Sequence, residues 1–376
     1  MKIAIVGGGI GGLTTALALK QNGQDVTIYE SASEIKPVGA GILLAINAMQ
    51  VYKNLGIHKK IEKAGAIVSN IQTTDAQLNT ISETKLSHFE NKYGVCSVAI
   101  HRADLHTILA DEIGWENIKL SKRLINIEEG NEFKLHFEDG SSINCDVLIG
   151  ADGIKSVVRK QLFNEGTFRD TKQRCWRGVC EFDSTAKYNQ IAIESWGKGK
   201  RFGFVEIGKN KVYWYAVIKD TMMKENYDLA DLFNEFHPEI VKIINKTPKD
   251  NIIFSDIKDL QPINQWQKGK VCLVGDAAHA TTPNMGQGAC QAIEDAYVIG
   301  KLFGQEKSVE AVFTQYEKLR LEKAHYIINT SWTIGKVAHY ENSIAIWVRN
   351  FLVKNTPINI VEKQLNKVFS IEYNIV

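Results

Sequence analysis

The N-terminus constrains the fold most. Lys2 to Val6 reads as an apolar strand without polar alternation, and Gly7-Gly8-Gly9-Ile10-Gly11-Gly12 follows at once. Such a run marks a strand covered on both faces. Leu13 to Gln21 then keeps a helical period and stops at Asn22-Gly23. Asp25 to Tyr29 reads as a second strand and closes on Glu30. This is a βαβ start, which predicts an α/β, Rossmann-like, doubly wound sheet. Gly7, Gly9 and Gly12 match GxGxxG, and Gly11 lies in the same turn. The glycines permit a tight turn and close backbone approach to a pyrophosphate, and the helix start offers N–H groups to phosphate. Glu30, 18 residues past Gly12, and its neighbour Ser31 are placed to meet a ribose. The fingerprint suits FAD and NAD equally.

A second ligand-binding turn lies far down the chain. Val271 to Leu273 reads as a buried strand and Ala289 to Leu302 as a helix. Between them stands Val274-Gly275-Asp276-Ala277-Ala278-His279-Ala280-Thr281-Thr282-Pro283-Asn284-Met285-Gly286-Gln287-Gly288. An acid at a strand end and a Gly-rich helix start aim a carboxylate and free N–H groups at one ligand. Two such turns predict a long cofactor gripped from both ends.

Composition removes other classes. With 45 basic and 43 acidic residues the net charge is +2, which gives no argument for nucleic acid or a charged membrane surface. The six cysteines form no CxxC pair and read as buried thiols in a reducing compartment. The histidines lack metal-ligand spacing, so no metal is expected. No leader pattern precedes the first strand, and the apolar run Ile344 to Val353 is interrupted by Arg349 and Asn350 and is too short to span a bilayer. These features predict a cytoplasmic chain without a membrane span.

Helices are expected at Ala48 to Leu55, Arg102 to Glu112, Asp228 to Phe236 and Pro238 to Lys246. Strands are expected at Asn117 to Leu120, Asn126 to Glu129 and Phe133 to Phe137, with Cys145 to Gly150 as one buried parallel strand. Around Gly208-Lys209-Asn210-Lys211 the pattern becomes a hairpin whose aromatic residues (Phe202, Phe204, Tyr213, Trp214, Tyr215) could floor a pocket or pack a core. The predicted layout is a discontinuous dinucleotide domain (1–173 and 269–335), an inserted, mostly antiparallel β-sheet substrate domain (174–268) and C-terminal helices (336–376).

A third motif, Asp152-Gly153, follows the strand ending at Gly150. With Gly7 to Gly12 and Gly275-Asp276 it resembles the three-part signature of the class A FAD-dependent aromatic hydroxylases, in order and spacing over nearly the whole chain. Glu34 to Ile42 and His279 to Cys290 are similar to the branch containing the bacterial FAD-dependent urate hydroxylases. The resemblance implies FAD as cofactor and NADH or NADPH as a transient reductant. It further implies O2 adding at flavin C4a to give a hydroperoxide, and transfer of OH to a small planar aromatic or heteroaromatic substrate. It implies that Asp276 meets a ribityl hydroxyl and that Gly286, Gln287, Gly288 and Ala289 present amides to the flavin pyrimidine. Pro283 would border the oxygen-reacting edge. Arg102, Gly41, Leu43, Leu124, Asp152 and Gly153 would contact FAD, and Arg201 and Tyr213 would line the substrate pocket. His279 would be structural. The chain departs from the urate branch at Glu206, where that branch carries Pro, and at Trp176-Arg177-Gly178, where it carries Trp-Asn-Gly. Two other classes fit the dinucleotide site: a flavin reductase or dehydrogenase without oxygen insertion, and a non-catalytic FAD-binding redox sensor.

The hairpin gives a geometric test. A four-residue loop at Gly208 to Lys211 would send Arg201 and Tyr213 to opposite faces, because side chains alternate with period two. A shared pocket requires an odd loop or a bulge.

Overall fold

The structure, a computed structural model, describes residues 1–34, 40–163, 166–183, 187–208, 210–223, 227–305 and 308–373. Ile35 to Gly39 of the quoted motif and Lys209 of the hairpin turn lie outside the described residues.

Lys2–Val6 runs through the middle of a six-stranded sheet. It pairs in parallel with Asp25–Tyr29 and with Val147–Gly150, and Val271–Leu273 continues the parallel set. Ile118–Lys119 closes one edge, and Gln267–Lys268, antiparallel, closes the other. Val147–Gly150 is buried throughout, as expected of a strand covered on both faces.

Helix Ile10–Gln21 follows the first turn and helix Gly288–Phe303 follows the second, and the two pack on each other. Small residues let them approach. A Cβ on Gly300 would lie 2.8 Å from the Ala18 Cβ, and one on Gly11 would lie 3.0 Å from the Ala292 Cβ. This contact brings the two ligand-binding turns together from opposite ends of the chain.

The expected strand Cys145 to Gly150 is two strands. Ser142–Cys145 pairs antiparallel with Phe133–Phe137, while Val147–Gly150 enters the parallel sheet. Asp146 makes the switch. Its N–H donates to the Lys2 carbonyl at 3.0 Å, and its carboxylate accepts from the Lys2 N–H at 2.7 Å. The expected helix Asp228 to Phe236 is helical only over Leu229–Leu232, and Phe233 and Phe236 turn into the core instead.

A seven-stranded sheet forms the second layer. Its order is Ile253–Leu260, Phe168–Glu181, Lys211–Lys219, Lys200–Glu206, Ile191–Trp196, Asn70–Asp75 and Thr80–Lys85. All neighbours are antiparallel except Ile191–Trp196 with Asn70–Asp75. One face carries Trp176, Phe202, Phe204 and Trp214 against the helices Leu229–Leu232 and Pro238–Lys246. Those three hairpin aromatics therefore pack a core, and Tyr213 and Tyr215 point to the other face.

The C-terminal part is helical over Val309–Ala338, Ser343–Lys354 and Ile358–Phe369. Among the described residues no helix is long and apolar enough to cross a membrane.

The first turn is sterically exacting at one glycine and open at another. A Cβ on Gly12 would collide with the Gly7 carbonyl oxygen, whereas one on Gly9 meets nothing within 4 Å. Gly12→Ala is expected to lose about 1–3 kcal/mol of stability in urea denaturation, the range for overpacked sites. Gly9→Ala should stay within about 0.5 kcal/mol of the parent. Equal losses at both positions would refute the assignment.

Candidate active site

The first turn forms one end of a cleft of about 320 Å³ lined by Gly7, Gly9, Glu30, Leu124 and Asp152 among others. Gly7 sits at φ +107°, and a Cβ there would overlap the Ala151 carbonyl. Glu30 is fixed against the turn. Its carboxylate accepts the Gly8 N–H at 2.6 Å, the Ala32 N–H at 2.7 Å and the Ser31 hydroxyl at 3.1 Å. Ser31 and Gly153 line the same cleft.

Asp152 accepts the Val157 and Val158 N–H groups at 2.7 and 3.2 Å through Oδ2. Its Oδ1 is buried without a protein partner. Burial pushes this carboxyl up, against the hydrogen bonds from Ser156, Val158 and Val157.

The second turn is joined to the first through Ala292, whose Cβ lies 3.0 Å from the Cβ position of Gly11 and 2.9 Å from that of Gly275. Gly275 adopts φ +59°, and Asp276 opens the short helix Asp276–His279. Asp276 is accessible to solvent from the open side, yet protein crowds it on the rest. Burial raises its carboxyl, and His279 and Arg102 oppose the rise. Arg102 begins helix Arg102–Ile113, and its N–H donates to the Ala40 carbonyl at 3.0 Å. Pro283 and Gly286 are exposed, and Gly286 takes φ +62°. Helix Gly288–Phe303 starts next, leaving the N–H groups of Gly288 and Ala289 without intrahelical acceptors. The Gln287 side chain turns inward and accepts from Asn47 at 2.9 Å and Gln291 at 3.0 Å, so it offers its backbone alone. Leu43 sits in strand Gly41–Leu44, its carbonyl 3.7 Å from the Cys290 Sγ.

A buried charge network holds this turn. Arg320 lies on helix Val309–Ala338 and reaches two consecutive acids, Asp295 at 2.8 Å and Glu294 at 2.9 Å. Lys323 also binds Glu294 at 2.8 Å, and Asn47 donates to it at 2.5 Å. Asp295 in turn accepts the Gly275 N–H at 2.9 Å and pairs with His279 Nε2 at 2.6 Å. Burial alone would raise Asp295, but His279 and Arg320 reverse this and bring it down to about 2. His279 is 2% exposed and stacks near Trp266, which fits a structural role. Sequence reading passed over Glu294, Asp295, Arg320 and Lys323, because on amphipathic helices they look like ordinary surface charges.

The seven-stranded sheet supplies the facing wall. Val205 pairs with Tyr213 and Glu206 with Val212, and Ile207 N–H bonds the Lys211 carbonyl at 2.9 Å. The connecting loop is therefore the three residues Gly208 to Asn210, with Asn210 at φ +55°. The odd loop puts Arg201 and Tyr213 on one face. They are not adjacent: four ladder positions, about 13 Å, separate them. Tyr215 lies between. It fits there because Gly203 has no side chain: a Cβ would overlap the Tyr215 ring. Gly41 likewise admits Tyr213, whose ring a Cβ would overlap. Gly41 thus marks where the first layer touches the sheet.

Arg201 is 1% exposed and already engaged. It donates to Glu194 at 3.2 Å through Nη1 and to Asn284 through Nη2, while Nε has no partner. Tyr215 and Trp196 also donate to Glu194, the latter at 2.7 Å. Asn284, next to Pro283, donates to Thr282 Oγ1 at 2.9 Å and to the Ser331 carbonyl at 2.7 Å. Arg201 therefore ties the sheet to the Pro283 loop. Burial raises both phenols far above their ordinary range, so they remain neutral hydroxyls; Arg177 opposes this at Tyr213, and Glu194 adds to it at Tyr215. Glu194 lies in no motif, and Asn284 lies within the second turn without any sign of this partner.

The donor set fits FAD. Side-chain-free positions line the cleft at Gly7, Gly9 and Gly153 beside a fixed acid, Glu30, and the second turn adds Asp276 and a helix N-terminus. Among the described residues no group of His, Cys, Asp and Glu could hold a metal.

Comparison with known proteins agrees. A family model described as FAD binding domain matches residues 1–331. The chain is similar to aurachin C monooxygenase/isomerase of Stigmatella aurantiaca, 35% identical over 360 residues and 94% of each chain. It is similar to 2-heptyl-3-hydroxy-4(1H)-quinolone synthase of Pseudomonas aeruginosa, 31% identical over 370 residues, 95% of this chain and 94% of that one. Its structure resembles Klebsiella pneumoniae HpxO complexed with FAD and uric acid, with TM-score 0.90, 26% identity and coverage of 98% and 96%.

Two measurements test the site's supports. Arg320→Met leaves Glu294 and Asp295 buried without this cation and is expected to cost about 3–5 kcal/mol in chemical denaturation; a loss under about 1 kcal/mol would refute its central place. His339 is fully buried and donates Nδ1–H to the Gly335 carbonyl at 2.9 Å. Burial, then the Arg201 charge, lowers its pKa to about 3. The unfolded chain, with a histidine near 6.5, takes up this proton first as pH falls. The contribution is therefore complete above about pH 6.5 and erodes below it by about 1.4 kcal/mol per pH unit. His339→Gln should flatten the stability profile between pH 7 and pH 5; an unchanged slope would show that His339 does not set it.

Proposed function

The chain belongs to the FAD binding domain family and is an FAD-dependent monooxygenase of the class A hydroxylase type; from that premise we propose that it hydroxylates an electron-rich, quinolone-like heteroaromatic ring rather than urate or a carboxylate-bearing ring. When bound, FAD supplies the redox chemistry with NAD(P)H and O2. The chain's own residues hold the two partners and exclude water.

The observation that carries this reading is the pairing of Arg201 with Glu194 on the pocket face. A buried guanidinium already balanced by a carboxylate does not call for an anionic substrate. What remains is Tyr213 as a neutral hydroxyl, with Arg177 beside it; the Tyr215 hydroxyl is already given to Glu194. That set suits a planar ring with a carbonyl or hydroxyl oxygen directed to the Tyr213 end. The name of one relative, 2-heptyl-3-hydroxy-4(1H)-quinolone synthase, supports the same class. Arg201 then acts as a positioning residue, setting the Pro283 loop against the sheet through Asn284. Tyr213 touches the ring. Gly7, Gly9, Gly11, Gly12, Glu30, Ser31, Arg102, Leu124, Asp152 and Gly153 serve the adenosine and pyrophosphate half of FAD. Gly41, Leu43, Asp276 and residues 286 to 289 serve the flavin half. The alternatives of a reductase without oxygen insertion and a redox sensor draw no support from these relatives.

The purified flavoprotein should oxidise NAD(P)H faster in the presence of a 2-alkyl-4-quinolone, with oxygen uptake and a product that gains one oxygen atom. Absence of stimulation by the quinolone, with stimulation by urate or 6-hydroxynicotinate, would overturn the substrate class. Glu194→Gln releases the Arg201 charge into the pocket. The ratio of kcat/KM for 6-hydroxynicotinate over the quinolone should rise at least tenfold while flavin content is kept. An unchanged ratio would remove Glu194 from specificity.

A further inference from the structure

Helix Ser343–Lys354 presents Ile344, Trp347, Val348, Phe351 and Leu352 to solvent, at the i, i+3, i+4, i+7, i+8 spacing of one helix face. Ile344 is 73% and Trp347 67% exposed, and the Trp347 and Phe351 rings stack at 5.7 Å. Ile358 and Ile360, at the start of the next helix, extend the apolar surface. The opposite face is bolted down by Arg349. It donates to the Ala338 carbonyl at 3.0 Å and lies 4.9 Å above the Trp196 ring. An exposed patch this large marks a binding surface.

We propose that this helix is a peripheral membrane-docking surface, lying in the plane of a phospholipid bilayer with its apolar face in the interfacial region. Shape selects the occupant. Residues 354 to 360 are all exposed, so the end of this helix and the turn after it stand out as a rib, beside a concavity where Ile360 meets Tyr326 and Lys363. Two rigid ribs make a poor mutual interface, whereas a deformable bilayer closes around one. Charge agrees. From Asn342 to Val361 there is no acidic residue, and the exposed charge is Lys354. Exposed Lys363 and Lys367 follow on the next helix. Aromatic and aliphatic residues flanked by lysines are the composition of an in-plane interfacial helix.

Position gives the surface a use. Arg349 rests on Trp196, Trp196 bonds Glu194, and Glu194 holds Arg201 and Tyr215. The rib therefore stands directly outside the candidate substrate pocket, where a ring with a lipid-soluble tail could pass from bilayer to protein. That use rests on the substrate reading above; the docking itself does not.

The test is flotation of the FAD-loaded protein with vesicles of phosphatidylglycerol and phosphatidylethanolamine, beside light scattering in solution. The parent should float, and the double variant Trp347→Glu, Phe351→Glu should lose at least tenfold of the vesicle-bound fraction while keeping its flavin and its NAD(P)H oxidation. Trp347→Tyr with Phe351→Leu should restore binding. A parent that stays with the unbound fraction, or a charged variant that floats equally well, overturns the proposal. So does a parent dimer that the charged variant dissolves without any flotation. A floating parent that fails to turn over quinolones would leave docking standing and sink only the substrate class.

Discussion

The architecture depends on one buried ion pair system, Arg320 with Glu294 and Asp295. Two carboxylates on adjacent positions of helix Gly288–Phe303 cannot remain ionised in an apolar interior without a cation between them. Arg320 supplies it from helix Val309–Ala338, whose Lys323 also reaches Glu294. Its planar fork reaches both acids at once, which a lysine at the same place could not do. The benefit passes outward. Asp295, held low in pKa, accepts the Gly275 N–H and grips His279, and so fixes the turn that carries Asp276 and Pro283. The geometry of that turn is therefore set by charges buried behind it.

A second constraint joins the layers. Arg201 reaches from the sheet to Asn284 in the Pro283 loop, and Asn284 reaches on to Ser331 in the long helix. One guanidinium thus spans the substrate wall and the cofactor turn. Glu194 makes this tolerable by balancing the charge, and Tyr215 and Trp196 saturate the carboxylate. Burial of polar groups in such number is stable only when they satisfy one another.

Much of this was legible in the residues, and the limits have physical causes. The strand, turn, helix and strand at the N-terminus were readable because period and glycines agree there. The odd hairpin loop followed from requiring Arg201 and Tyr213 to share a face, and the register has it. Cys145 to Gly150 misled because an apolar run does not show where a chain changes sheets. Asn70–Asp75 and Thr80–Lys85 went unread because they are polar, Thr-rich strands near or at a sheet edge. Asn284 stands in the second turn, but its link to Arg201 was not readable because the partner lies 83 residues away, and Glu194 gains its meaning only from the pairing of neighbouring strands. Phe202, Phe204 and Trp214 alternate with the tyrosines, and composition could not say which set faced the cofactor layer.

Two glycines on the pocket side have a consequence for how such chains diverge. Gly41 exists as glycine because the Tyr213 ring occupies its Cβ position, and Gly203 because Tyr215 does the same. Each pair fixes an order of change, because the ring must shrink before the glycine can gain a side chain. A side chain at 41 demands a small residue at 213, and a side chain at 203 demands the loss of the ring at 215. Across descendants of one ancestor, a side chain at 41 or 203 should therefore be found only where the facing ring has already been lost, so a change of shape on this face begins at the tyrosine and reaches the glycine second.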